Sequence, residues 1–132
     1  QHVLWYSGAQ NSLLFVRDGE CHRIKGNKCS IGDPTGECST GFRAHRLDLR
    51  ATDHVYLYSD GLIHQFGGAN GRKKFSNAQL MATVGSLAEH DARHIGTVLS
   101  EAHRAWQGDQ SQTDDIVLIG FSINQTAAVM AA

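Results

Sequence analysis

Two short acidic stretches have the residue types and placement for chemistry: Asp60 in VYLYSDGL, and the pair Asp114-Asp115 in QSQTDDIVLIG. Asp60 follows an apolar, strand-like run and Asp114-Asp115 precede another. If the two runs lie side by side as antiparallel strands, the exit of the first meets the entrance of the second, and the carboxylates share one sheet edge. Two ionised carboxylates about 4 Å apart repel by roughly 4 kcal/mol at an effective dielectric near ~20. Such a pair needs a raised pKa, separation by water, or a cation. Hard oxygen donors suit Mg2+ or Mn2+, which keep several waters of their own. Taken singly, Ser59-Asp60-Gly61 is also an ordinary turn, and Thr113-Asp114-Asp115 an ordinary strand entry.

The remaining candidates are weaker. His90 and His94 stand at i, i+4 on an expected helix, but no H-E-x-x-H pattern or further ligand joins them, and an exposed polar face is the better reading. Cys21, Cys29 and Cys38 form no C-x-x-C pair and no C-x5-R phosphate loop, so reduced thiols in a cytosolic compartment are expected and cysteine-phosphatase chemistry is disfavoured. His54 and His64 flank the Asp60 segment and are read as structural. Arg72, Lys73 and Lys74 make a small basic cluster, either a solvated loop or a contact for a phosphopeptide or acidic partner. Trp5 and Trp106 are expected to pack in the core or against a helix.

Around these residues the chain reads as one domain. Its 132 residues are 41% hydrophobic with a single proline, enough to bury a core. Twelve Lys plus Arg against thirteen Asp plus Glu give a net charge of -1, which lacks the basic excess that nucleic-acid binding needs. No apolar run is long enough to span a membrane, and the opening QHVLWYSG has no charged leader region, so the start is expected to be a cut and no membrane contact is expected.

Period-two runs predict strands over Val3 to Tyr6, Leu13 to Val16 and Cys21 to Ile24 in an antiparallel meander, with Arg17 to Glu20 as a hairpin turn. The polar segment 26–41 reads as an exposed loop. Strands resume over Phe42 to Leu49 and His54 to Tyr58. After Gly71 the period becomes 3.6: Leu80, Met81, Val84, Leu87 and Ala88 share one face behind a Ser76/Gln79 capping box. A second helix from about Asp91 places Ile95, Val98, Leu99, Ala102 and Trp106 on one stripe and ends at Gly108. Ile116 to Ile123 is a central strand, and 124–132 is expected to fray. The fold class is therefore α+β, with helices covering a largely antiparallel sheet.

The segments LWYSGAQNSLLFVRDGE, IKGNKCSIGD, DHVYLYSDGLIHQFGGANGRKKF and WQGDQSQTDDIVLIGFSI, in this order, give the chain a family likeness up to Ile123. It resembles the SpoIIE/RsbU-type branch of the metal-dependent type 2C serine/threonine protein phosphatases. The resemblance implies a β-sandwich flanked by helices, with 1–123 as a partial phosphatase domain. It also implies hydrolysis of phosphoserine or phosphothreonine on a protein partner, often a STAS-type anti-sigma-factor antagonist, in a cytoplasmic domain that can be the output of a larger sensor. Carried over by position, Asp60 and Asp114 are implied metal ligands for a two-metal Mn2+ or Mg2+ site. Asp115 is implied as a supporting catalytic residue, and water, activated without a covalent intermediate, as the nucleophile.

Relatives also carry an upstream Asp-Gly segment with a bridging metal ligand, which this chain does not match. The chain thus corresponds to the C-terminal part of the catalytic domain, with the N-terminal part absent, and self-association as a homodimer is expected. His64 stands where relatives commonly have an acidic residue, and Ser30 where proline is common. The alternative is a phosphatase-like interaction module that binds the same class of partner without turnover.

Overall fold

The β-branched and aromatic runs of the sequence pair into antiparallel sheets, one of five strands and two of two strands, and the two 3.6-period segments form the long helices that complete the core. A computed structural model describes residues 2–35 and 41–132. In chain order the elements are β1 (His2–Tyr6), β2 (Leu13–Arg17), β3 (Glu20–Ile24), β4 (His45–Leu49) and β5 (His54–Tyr58). Then follow α1 (Asp60–His64), β6 (Phe66–Gly67), β7 (Lys73–Lys74), α2 (Ser76–Ser86), α3 (Ala92–Gln107), β8 (Val117–Ser122) and β9 (Gln125–Ala131).

The main sheet has five strands in the order β3-β2-β5-β8-β9, every pairing antiparallel. Asp18 and Gly19, at φ of 52° and 79°, make the tight turn between β2 and β3 that Arg17 to Glu20 predicted. Strand alternation puts Leu14 and Val16 of β2, Tyr56 and Tyr58 of β5, and Leu118 of β8 into one cluster. Leu80 and Val84 of α2 and Ile95 and Leu99 of α3 complete it. Burying each of these side chains contributes about 2 kcal/mol, so the cluster is the main source of stability. Asp91 caps α3 by accepting from the His94 N–H at 2.8 Å, and Gly108 follows its end at φ 55°. At the start of α2, Ser76 Oγ accepts from the Gln79 N–H at a long 3.4 Å, which supplies the first half of the expected capping box.

Three expectations are corrected. β1 does not join the meander: it pairs with β4 in a separate two-stranded sheet, because the irregular connection over 7–12, where Gly8 lies against Tyr6 and Asn11 and Ala9 bridges to Asn27, leads the chain away from β2. Trp5 on this sheet is 64% exposed and not a core residue. The tail does not fray. β9 pairs with β8, Ala132 and Ile116 exchange backbone hydrogen bonds at 2.9 and 3.0 Å, and Met130 packs on the core.

The thiols differ from one another. Cys21 is free and half-buried, and burial pushes its pKa up to about 11, which makes it unreactive. Cys29 is disulfide-bonded, so the reduced-thiol reading, and the support it lent to a cytosolic compartment, does not hold for it. Cys38 lies outside the described residues.

Candidate active site

The rim where β5 ends and β8 begins is one continuous antiparallel seam. Within the sheet, Tyr58 stands opposite Leu118. Beyond it, the Ser59 N–H donates to the Val117 carbonyl at 2.9 Å. The Ser59 side chain then joins the two segments twice: its Oγ accepts from the Val117 N–H and donates to the Asp115 carbonyl, both at 2.9 Å. Gly61 lies against the Asp115 backbone, and Gln65 Nε2 donates to the Ser111 carbonyl at 3.0 Å. The backbones that carry Asp60 and Asp114-Asp115 are therefore in contact along the whole turn. Both segments meet at one sheet edge, as the strand order predicted.

Asp60 is the first residue of α1, and Asp60, Asp114 and Asp115 are all exposed. Asp114 Oδ1 accepts from the Asp115 N–H at 2.8 Å, and the Asp114 carbonyl accepts from Gln112 Nε2 at 2.9 Å. Among the described residues none of the three carboxylates takes part in an ion pair. Negative charge is thus gathered at the rim with no protein cation on it.

Gly61 has a role that the sequence did not announce. Its φ is not positive, so it is not there to let the chain turn. A Cβ at this position would sit 2.3 Å from the Asp115 carbonyl oxygen, so glycine is what lets the two acidic segments touch. Behind α1, His103 of α3 is buried, and its Nε2–H donates to the Leu62 carbonyl at 3.1 Å. Burial lowers the His103 pKa despite that hydrogen bond, and holds the ring neutral. Ser59, Gln65 and His103 went unnoticed in the sequence. Only the position of Ser59 beside Asp60 offered any signal.

The other candidates stand apart. The His90 and His94 rings stack at 4.5 Å on the exposed surface. His64 is exposed at the end of α1, and His54, at the far end of β5 from Asp60, is buried with its pKa lowered by that burial. Among the described residues no group of three or more His, Cys, Asp or Glu side chains is arranged to hold a metal ion.

Residues 1–124 match the family model for Stage II sporulation protein E (SpoIIE). The chain belongs to the SpoIIE family. Among solved structures, the SiaA-PP2C domain of Pseudomonas aeruginosa is similar at TM-score 0.82 and 26% identity, over 92% of this chain and 46% of that one. The phosphatase domain of the cell-fate determinant SpoIIE from Bacillus subtilis, presoaked with Mn, shares the fold at TM-score 0.61 and 14% identity, over 94% of this chain and 57% of that one. This SpoIIE-family chain thus spans about half the length of the solved structures it matches. No curated protein matches it. Its mixed α+β fold with antiparallel sheets is that of a type 2C phosphatase domain.

Proposed function

We propose that this SpoIIE-family chain forms the Asp60/Asp114/Asp115 part of a metal-dependent serine/threonine phosphatase site, acting on phosphoserine or phosphothreonine of a signalling partner of the STAS anti-sigma-factor-antagonist type. The observation that supports it most is the seam. Four contacts, through Ser59, Gly61, Gln65 and the β5–β8 ladder, hold two acidic segments together at a rim with no compensating cation.

That donor set fits a hard divalent cation, Mn2+ or Mg2+, with Asp60 and Asp114 as its ligands. When bound, the cation supplies Lewis-acid stabilisation of phosphoryl charge and lowers the pKa of water. The chain itself provides position. Ser59 fixes the spacing of the two segments, and the Asp115 amide steadies the Asp114 carboxylate. Asp115 is assigned a supporting role because it holds Asp114 through its backbone N–H.

Phosphate release from a phosphoserine protein, followed through a manganese titration of the full-length protein, tests the reading. Asp60→Asn and Asp114→Asn should each reduce turnover by about a hundredfold or more, because each removes a charged ligand while nearly keeping the shape. Asp115→Asn keeps the amide that holds Asp114 and should cost less. A full rate in either of the first two variants ends the assignment.

A second reading, a module that binds the partner without turnover, is favoured by one observation: the described residues contain no metal-holding group of three or more side chains. It predicts partner binding that is indifferent to Asp60→Asn and to manganese.

A further inference from the structure

The β6–β7 hairpin presents Arg72, Lys73 and Lys74, all exposed, and among the described residues none of them forms an ion pair. Lys74 lies over the ring of Phe66, which is itself 39% exposed, with 5.9 Å between the ammonium and the ring centre. Consecutive strand residues leave from opposite faces, so Lys73 and Lys74 make the hairpin cationic on both sides.

The hairpin is fixed in place. The Gly68 N–H donates to the Trp106 carbonyl at 2.8 Å, and a Cβ on Gly67 would fall 2.0 Å from that same oxygen. The Phe75 N–H donates to the Gln65 carbonyl at 2.9 Å and closes the hairpin base. The same base is joined to the Asp114 loop by the bond from Gln65 to Ser111. Asp60 and Gln65 are separated only by α1, a rise of about 8 Å. Three cations, none in an ion pair among the described residues, and an exposed aromatic ring therefore stand on a hairpin whose base is bonded to the Asp114 loop.

From this juxtaposition we propose that the Arg72-Lys73-Lys74 hairpin docks an acidic stretch of the partner protein that flanks the phosphorylated residue. The position relative to the phosphorylated residue rests on the phosphatase reading; the docking itself does not. A peptide is favoured over a nucleic acid. A continuous polyanion would have to cross Asp60, Asp114, Asp115 and the exposed Asp109 of the adjoining loop, whereas a peptide can place its negative charges at the hairpin alone.

The test uses the full-length protein and a short fluorescein-labelled peptide with Asp and Glu on both sides of one unphosphorylated serine, followed by anisotropy. Binding should weaken as ionic strength rises from about 0.05 to about 0.3 M. It should weaken about tenfold in R72Q/K73Q/K74Q, since exposed ion pairs contribute a few-fold each. The single variants Arg72→Gln, Lys73→Gln and Lys74→Gln should each give part of that loss, which guards against misfolding of the triple. In turnover, the ratio of kcat/KM for acidic-flanked over neutral-flanked phosphoserine peptides should fall about tenfold in the triple variant.

Equal peptide binding by wild type and variants, no salt dependence, or tighter binding of an oligothymidylate would overturn the docking surface. Absence of phosphate release from every phosphopeptide would count against the phosphatase reading instead, and the anisotropy measurement would still decide the docking.

Discussion

At the residue scale, the two glycines at Gly61 and Gly85 separate close approach from mere tolerance. Both are helical and neither has positive φ, so backbone freedom alone would favour alanine at each by about 1 kcal/mol. A Cβ on Gly85 meets its nearest atoms, Cys21 Cβ and the Gly19 carbonyl, at 3.7 Å, which is ordinary contact. Gly85→Ala should therefore stabilise the protein slightly, by up to about 1 kcal/mol in urea unfolding. Gly61→Ala forces a methyl to 2.3 Å from the Asp115 carbonyl and should destabilise by about 3 kcal/mol, or move the two acidic segments apart. If urea midpoints show Gly61→Ala as benign, the seam is looser than its hydrogen bonds imply. The meeting of the Asp60 and Asp114 segments was legible because two apolar runs could be taken as neighbouring antiparallel strands. The sequence could not make Gly61 legible, since its constraint comes from a backbone more than fifty residues away.

At the scale of elements, the sheet is tied to its surroundings by groups whose charge state matters. Asp53 is 1% exposed. Burial alone would raise its pKa, but the Arg17 guanidinium and the Arg50 N–H, at 2.8 Å, outweigh that and hold it low. A carboxyl with a depressed folded pKa contributes stability that is present above its unfolded value near ~3.9 and is lost as pH falls through the folded value. His54 and His103 act earlier. Both are held neutral by burial, so between the unfolded value near ~6.5 and their lower folded values the unfolded chain binds more protons. Stability should thus decline as pH falls below about 6.5, before the carboxylates contribute. Urea midpoints at a series of pH values check this, and His103→Gln should reduce the decline in the upper part of that range.

The two long helices, α2 and α3, were legible because their apolar period persists over several turns, whereas the single-turn α1 was not. β1 was misassigned because five residues of alternation fix a strand but not its partner. β9 was missed because NQTAAVMAA is rich in alanine and lacks a clear alternation, and its order comes from pairing with β8 rather than from side chains of high strand propensity. A chain ending at Asn124 should lose about 2 kcal/mol or more, as the β8 edge and the core side of Met130 open to water.

At the scale of the whole molecule, the 132-residue polypeptide purified alone is expected to separate fold from activity. It matches 46% of the SiaA-PP2C domain and 57% of the Bacillus subtilis SpoIIE phosphatase domain, and its rim offers three carboxylates without a metal-holding group of three among the described residues. Two dications bound through Asp60 and Asp114 alone would lack the charge that offsets their dehydration, so manganese binding should be weak and phosphate release negligible. Among the described residues β1 and β4 pair only with each other, while Val3, Trp5, Phe42, Val117 and Val129 expose apolar surface, with Val129 at 65%. Unpaired strand edges next to exposed apolar side chains favour self-association, so sedimentation should show dimers or larger species that grow with concentration. In the same sample, melting temperature should rise little with Mn2+, because ligand linkage scales with occupancy of the folded state. The full-length protein should show the opposite pair of results, a metal-dependent rate and a metal-dependent melting temperature. A monodisperse 132-residue monomer with robust manganese-stimulated turnover would mean that Asp60, Asp114 and Asp115 form a complete site, and that the second sheet needs no further strands to cover it.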